Sequence, residues 1–182
     1  TNIDDIKIEV LETFSATKIY SIANATDLQS FMMWADEYTE EEEVVFANNI
    51  DLKDYKLTTA TSFKGTLDAK GYSIENWANN GQWLVKELKG TIKNLKIASS
   101  CAVTPAINTD FGIFASYLAP TGQILGCENN ADITLETASH DGSRFSAFVG
   151  KNDGLIKDCV NNGNITINTQ KRSGNVYIGG VA

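Results

Sequence analysis

Basic residues are scarce in this 182-residue chain: 15 Lys and Arg stand against 23 Asp and Glu, a formal charge of −8. A protein that binds nucleic acid needs a basic stripe to displace counterions from phosphates, so this balance argues against nucleic acid and against anionic membrane surfaces. No run approaches the roughly 18 apolar residues of a spanning helix, which argues against membrane insertion. The first residues, "TNIDDIKIEV", lack the basic-then-apolar order of a signal peptide. Because the chain starts on Thr and "VYIGGVA" stops inside a repeat, both ends read as cuts in a longer protein with flanking domains. Proline occurs twice and histidine once. The three cysteines, Cys101, Cys127 and Cys159, form no CxxC, so neither a disulfide framework nor a zinc site is encoded, and no cofactor is expected.

With 42% apolar residues the chain can bury a core, and its organisation is a repeat. The stretches "GTIKNLKIAS" from Gly90, "GQILGCENNADITL" from Gly122 and "GLIKDCVNNGNITI" from Gly154 start at equal intervals. Ile92, Ile124 and Ile156 align, as do Leu95, Cys127 and Cys159; Asn129 aligns with Asn161, Asn130 with Asn162, and Ile133 with Ile165. Further on, "RFSAFVG" matches "VYIGGVA", pairing Phe145 with Tyr177 and Val149 with Val181. The earlier copy "DFGIFAS" brings Phe114 onto Phe148 if "YLAPTG" carries a short insertion. Each unit holds three short β-prone runs separated by turn residues, which predicts an all-β, right-handed parallel β-helix. About three strands would make a coil, and coils would stack at about 4.8 Å. Alternation points Phe111, Ile113 and Ala115 inward, then Phe145, Ala147 and Val149, then Tyr177, Gly179 and Val181. A slot that accepts Leu or Cys is a small apolar one, and in-register parallel strands aim both Cβ vectors the same way. Cys127 and Cys159 are therefore expected as buried free thiols, with a disulfide between adjacent coils as the alternative.

The N-terminal part follows another period. In "TDLQSFMMWADEY", Thr26 is the expected N-cap with Gln29 completing a capping box, and Leu28, Phe31, Met32, Ala35 and Tyr38 form one apolar stripe. Such an amphipathic helix can close the open end of a solenoid. The following "TEEEEVV" reads as a solvated helix exit rather than a calcium loop. Ile74 precedes Ile92 by little more than half the later interval, so "VVFANNIDL" and "SFKGTLDAKGYSIENW" are expected to form a first, irregular coil. The division is residues 1–19 as a leading strand segment, either an edge strand or part of a preceding domain, 20–43 as the capping region, and 44–182 as a β-helix cut mid-repeat.

The order of "ATDLQSF", "VVFANNIDL", "FKGTLDAKGYSIENW", "GTIKNL", "FGIFAS", "GLIKDC" and "YIGGVA" over roughly residues 20–182 resembles the GLUG-type β-helix repeats. Phe63, Gly65, Leu67, Asp68, Gly71, Ile74, Asn76 and Trp77 match that family's first pattern, with Ala69 where a second Gly is usual. The resemblance implies the β-helix architecture and a place in large secreted or surface proteins of bacteria. It implies no catalytic residues.

Two features are candidates for binding. His140, Asp141 and Arg144 lie on one turn and Lys171 and Arg172 on the next, with Arg172 one full repeat after His140. This corner could grip an anionic sugar through the Arg fork, or be a solvated turn whose charges tolerate each other. Phe114 and Phe148 fall on the parity opposite to the buried set. They either point outward as a ring platform for a sugar or partner, or are carried inside by a bend. Trp34, Trp77 and Trp83 fall toward the capped end and are expected to pack under the cap. No Ser/His/Asp set, phosphate loop or paired carboxylates can be assembled. The expectation is a non-catalytic, secreted or cell-surface module for adhesion, binding a glycan or a host or surface protein, or serving as a rigid spacer. The alternative is a polysaccharide lyase or hydrolase with its cleft on the β-helix face.

Overall fold

Short β-prone runs fail to pair with their sequence neighbours when the residues between them turn a corner instead of reversing the chain. Each run then pairs with its counterpart one repeat away, in parallel. The computed structural model describes residues 18–105, 109–136, 143–168 and 177–181, and it is a parallel β-helix of five sheets. The first wall carries strands Ser21–Ile22, Glu43–Phe46, Thr66–Asp68, Thr91–Lys93, Gln123–Leu125 and Leu155–Lys157. The second carries Ile50–Asp51, Ser73–Glu75, Lys96–Ile97, Glu128–Asn129 and Val160–Asn161, and the third Ala78–Asn79, Ala102–Val103, Ile133–Glu136 and Ile165–Asn168. The fourth consists of Phe111–Gly112, Arg144–Ser146 and Tyr177–Gly179; the fifth of Ala60–Phe63, Val85–Leu88, Ala115–Leu118 and Val149–Asn152. A full coil thus has five short strands where three runs were expected, because two of the runs fold at a corner. "LIKDCV" bends at Asp158, whose φ is +54°, and "RFSAFVG" bends between Ser146 and Val149.

Two columns of residues make the repeat. At entry to the first wall, glycine is required by space: a Cβ on Gly90 would collide with the Gly65 carbonyl oxygen, and one on Gly154 with that of Gly122. At exit, Lys70, Asn94, Gly126 and Asp158 all take positive φ, between 53° and 60°. Gly, Asn and Asp are the residues that adopt this conformation most readily. Between these corners, Val44, Leu67, Ile92, Ile124 and Ile156 stack in register. Their spacing along the chain is shorter from Val44 to Leu67 and from Leu67 to Ile92 than in the two steps that follow. The early part is therefore two shorter coils rather than one irregular one. They are shorter because the first lacks strands in the third and fourth walls and the second lacks one in the fourth. Ile74 pairs with Ile50 and Ile97 in the second wall, so it is not the counterpart of Ile92.

Inside the coils, one apolar cluster runs from Ile22 to Val149. Asn129, fully buried, donates from Nδ2 to the Ala131 carbonyl at 2.9 Å and to Asn161 Oδ1 at 2.8 Å, a ladder along the axis. Cys127 and Cys159 stack as free thiols, with the Cys127 N–H 3.4 Å from Cys159 Sγ. The Cys159 side chain and burial push the Cys127 thiol up, while the contact with Cys127 holds the Cys159 thiol down.

The capping helix spans Ala25–Trp34 and packs on strands Ser21–Ile22, Ile50–Asp51 and Ala60–Phe63. All five stripe residues are buried, and Phe31, Tyr38 and Phe63 meet ring to ring at 5.1, 5.6 and 5.8 Å. The N-cap is Asn24, not Thr26: its Oδ1 accepts the Asp27 N–H at 3.0 Å, and Asp27 Oδ2 accepts the Ala23 N–H at 2.9 Å. Gln29 is unavailable for a capping box, because its Oε1 accepts the Thr58 N–H at 2.8 Å. In the glutamate run Glu40, Glu41 and Glu43 are exposed and Glu42 is half-buried. Glu42 binds Lys18 at 2.8 Å, Tyr20 and the Thr39 N–H, and Glu43 opens a first-wall strand and meets Lys93 at 3.1 Å. The "IKIEVLE" segment lies outside the described residues.

Candidate functional site

Of the expected charged corner, His140, Asp141, Lys171 and Arg172 lie outside the described residues. Arg144 starts a fourth-wall strand and is held by the coil below: its N–H donates to Asp110 Oδ1 at 3.0 Å and its Nη1 to Asp110 Oδ2 at 2.8 Å. On the coil above, Arg144 pairs with Tyr177, and Phe145 with Ile178. That step is longer by a single position than the one joining Glu136 to Asn168 just before the turn. The expected pairing of Phe145 with Tyr177 is thus off by one, and the extra position falls within 169–176. Tyr177 accordingly leaves the inward column, where Ile178 takes its place.

The ring platform is corrected. Phe114 and Phe148 are both 0% exposed and stack face to face at 4.7 Å with planes 9° apart. Alternation failed here because Ile113–Phe114 and Ala147–Phe148 are corner residues between the fourth and fifth walls, where the strand parity is interrupted. Residues 111–115 and 145–149 are consequently buried without a break.

Elsewhere the outward charges are tied to one another. Asp68 receives Lys70 at 2.7 Å, Lys93 at 3.4 Å and the Asn94 amide at 2.9 Å. Burial pushes its carboxyl up, but these partners outweigh burial and hold it well below the usual carboxylate range. On the fifth wall the Tyr117 hydroxyl donates to Asp153 at 2.9 Å, and the Lys151 ammonium lies over the Tyr117 ring at 4.7 Å. Trp77 is buried and Trp34 and Trp83 half-buried; the indole N–H of each is enclosed without a hydrogen-bond acceptor among the described residues. Among the described residues, no group of three or more His, Cys, Asp or Glu could hold a metal ion, and no helix is long and apolar enough to cross a membrane.

A site not foreseen from sequence lies beside the cap. Because the first coil lacks third- and fourth-wall strands, the chain between Asp51 and Ala60 loops outward, with Asp54 at φ +59°. Two depressions flank this loop and share Asp54, Tyr55 and Lys56. One, of about 500 Å³, lies against the capping helix at Thr26, Gln29 and Met33; the other, of about 300 Å³, lies against Ala78, Asn80 and Gln82. The loop is fixed from both sides. Thr58 donates its N–H to Gln29, Gln82 Nε2 donates to the Leu57 carbonyl at 2.7 Å, and buried Asn79 accepts the Gly81 and Gln82 N–H groups at 3.0 and 2.7 Å. The signal available in sequence was the absence of β alternation in "DLKDYKLTT", which marks a loop but not what faces it.

No family model matches the chain, and no curated protein does. A solved structure from Bacteroides ovatus, described as a candidate immunoglobulin A1 protease, is similar to it with a TM-score of 0.60 at 15% sequence identity. The match covers 87% of this chain and 63% of that one, so the present chain spans under two thirds of the other's length. At that identity the likeness extends to the fold alone.

Proposed function

We propose that this chain is a non-catalytic recognition module, a GLUG-type β-helix in a secreted or cell-surface bacterial protein, that presents a rigid acidic surface to a glycan or a surface protein. The observation that carries the reading is the first wall, six parallel strands continuous from the capping region to the last described coil. Solenoid walls of this kind make extended, pre-ordered binding faces, since each coil is fixed by both neighbours and little order is lost on binding. The GLUG assignment is supported by the glycine column and the left-handed corners, which give the recurring Gly-x-Ile-x pattern, closed by Asn94, Gly126 or Asp158, a structural reason. The turn corner of His140, Asp141, Arg144, Lys171 and Arg172 is proposed as the face for an anionic partner, with Asp110 fixing the Arg144 end. The rings of Phe114 and Phe148 take no part, being enclosed.

The test is an array of plant, bacterial and host glycans together with host surface proteins, probed with the chain and with Arg172→Ala. Saturable binding to any of them supports recognition, and its loss in Arg172→Ala places it at the corner. Silence across the array, with the β-rich circular dichroism spectrum intact, overturns recognition and leaves a spacer.

A further inference from the structure

The loop beside the cap leaves two amides half-used. Gln29 is only 5% exposed, and its Oε1 is committed to the Thr58 N–H. Its Nε2 donates to no group among the described residues, and the side chain lines the larger depression. Gln82 is the mirror case. Its Nε2 is committed to the Leu57 carbonyl, and its Oε1, lining the smaller depression, accepts from no group among the described residues. Both amide orientations are set by their backbone partners, since an N–H must meet an oxygen and a carbonyl must meet a nitrogen. Among the described residues, an unused donor thus stands on one side of the loop and an unused acceptor on the other. Between them lies Tyr55, whose ring packs on the core and lines both depressions, and exposed Met33 rims the larger one.

We propose that this double groove is a binding site for a neutral oligosaccharide lying across Tyr55. A hydroxyl donates and accepts at once, so a polyhydroxylated ligand satisfies Gln29 and Gln82 together, whereas an anion satisfies only the donor. Asp54 and Lys56 on the shared loop cancel in formal charge, so the groove offers no net charge to an ionic ligand. The C–H face of a pyranose matches an aromatic ring with an apolar neighbour, the arrangement Tyr55 and Met33 supply. The loop is clamped before any ligand arrives, so little ordering opposes binding. This inference rests on the recognition reading above and adds to it a second place, beside the cap, and a neutral ligand class.

The test is isothermal titration of the whole chain with cellotetraose, mannotetraose, triacetylchitotriose and lacto-N-tetraose, with sialylated and sulfated oligosaccharides in parallel, and amide NMR shifts to locate the ligand. The expected result is saturable binding to at least one neutral probe, with shifts at residues 26–33, 54–58 and 78–82. Tyr55→Ala should weaken it roughly tenfold or more, the effect of losing a ring face. Gln29→Glu keeps an acceptor for Thr58 and puts a carboxylate in place of the donor, and should also weaken it, whereas Lys151→Ala on the fifth wall should not. Binding of neutral probes that survives both groove variants, or shifts confined to other walls, overturns the site and leaves the recognition reading standing. Binding only to charged glycans or to a protein on the wider array does the same. Silence to the neutral probes overturns the site, and silence on the wider array as well overturns both.

Discussion

Phe148 stacks on Phe114 at 4.7 Å with neither ring exposed, so its contribution is to packing between two coils. Phe148→Ala removes a ring from a closed interior and should cost about 3–5 kcal/mol, read as a lower midpoint in chemical denaturation. The decisive contrast is that Tyr55→Ala, on a half-buried ring, should cost much less. Glu42 behaves differently because its role is electrostatic. Lys18 first, then Tyr20 and Thr39, hold its carboxyl at about 2, below the ordinary 4.5. A carboxyl depressed on folding contributes stability above its unfolded pKa, and that contribution is lost as pH falls from about 4.5 through about 2. Glu42→Gln should therefore melt below the parent at pH 6, with the difference shrinking toward zero by about pH 2 in thermal unfolding scans. A difference that stayed constant with pH would mean that Glu42 acts through packing alone.

At the scale of the coil, glycine at first-wall entry is a packing requirement. Gly90→Ala drives a Cβ into the Gly65 carbonyl oxygen and against the Lys64 backbone, atoms that cannot rotate away. The coils must part locally, a cost of about 1–3 kcal/mol for overpacking, which should appear as faster amide exchange in Thr66–Asp68 and Thr91–Lys93. Unchanged exchange there would show that the column tolerates a side chain. This column is also what made the fold readable: Gly, then inward Ile, then a left-handed corner recurs at a fixed interval because the corners permit little else. The same local pattern misled where it was used at another corner. Ile74-Glu75-Asn76-Trp77 has the same form as Ile92-Lys93-Asn94-Leu95, but Asn76, at φ +54°, turns the chain from the second wall to the third. Local sequence encodes a bend, not which bend it is. The cap was legible as a stripe, although its N-cap was not, since Asn24 and Thr26 are both good caps and tertiary demand on Gln29 decided between them. The groove was illegible for a stronger reason. Gln29 on the helix and Gln82 on a later loop flank Tyr55 from opposite sides only because two short coils bring these sequence-distant segments together.

For the whole molecule, the two ends of the stack differ. At one end the helix and Tyr38 enclose the core; at the other, Leu155, Val160, Tyr177 and Ile178 are 46, 51, 55 and 40% exposed on the last described coil. The last strands of the first and second walls, Leu155–Lys157 and Val160–Asn161, each pair on one side only among the described residues, which makes them a template for pairing with another chain. The 182-residue segment on its own should therefore self-associate through that end, as a concentration-dependent dimer in sedimentation velocity. The net charge sets the direction of the salt effect. Two copies of a −8 chain repel at low ionic strength, and the repulsion is confined to about 8 Å at 0.15 M salt. Association through apolar edges should thus strengthen as salt rises from about 0.02 to 0.15 M, whereas association through ion pairs should weaken over the same range. Val160→Lys with Ile178→Lys should abolish the dimer at every salt concentration, and Met33→Lys on the capped side should leave it intact. Persistence of the dimer in the double variant would assign the contact to a lateral wall, and a monomer at all concentrations would mean that repulsion and the exposed ends of the corners suffice to protect the edge.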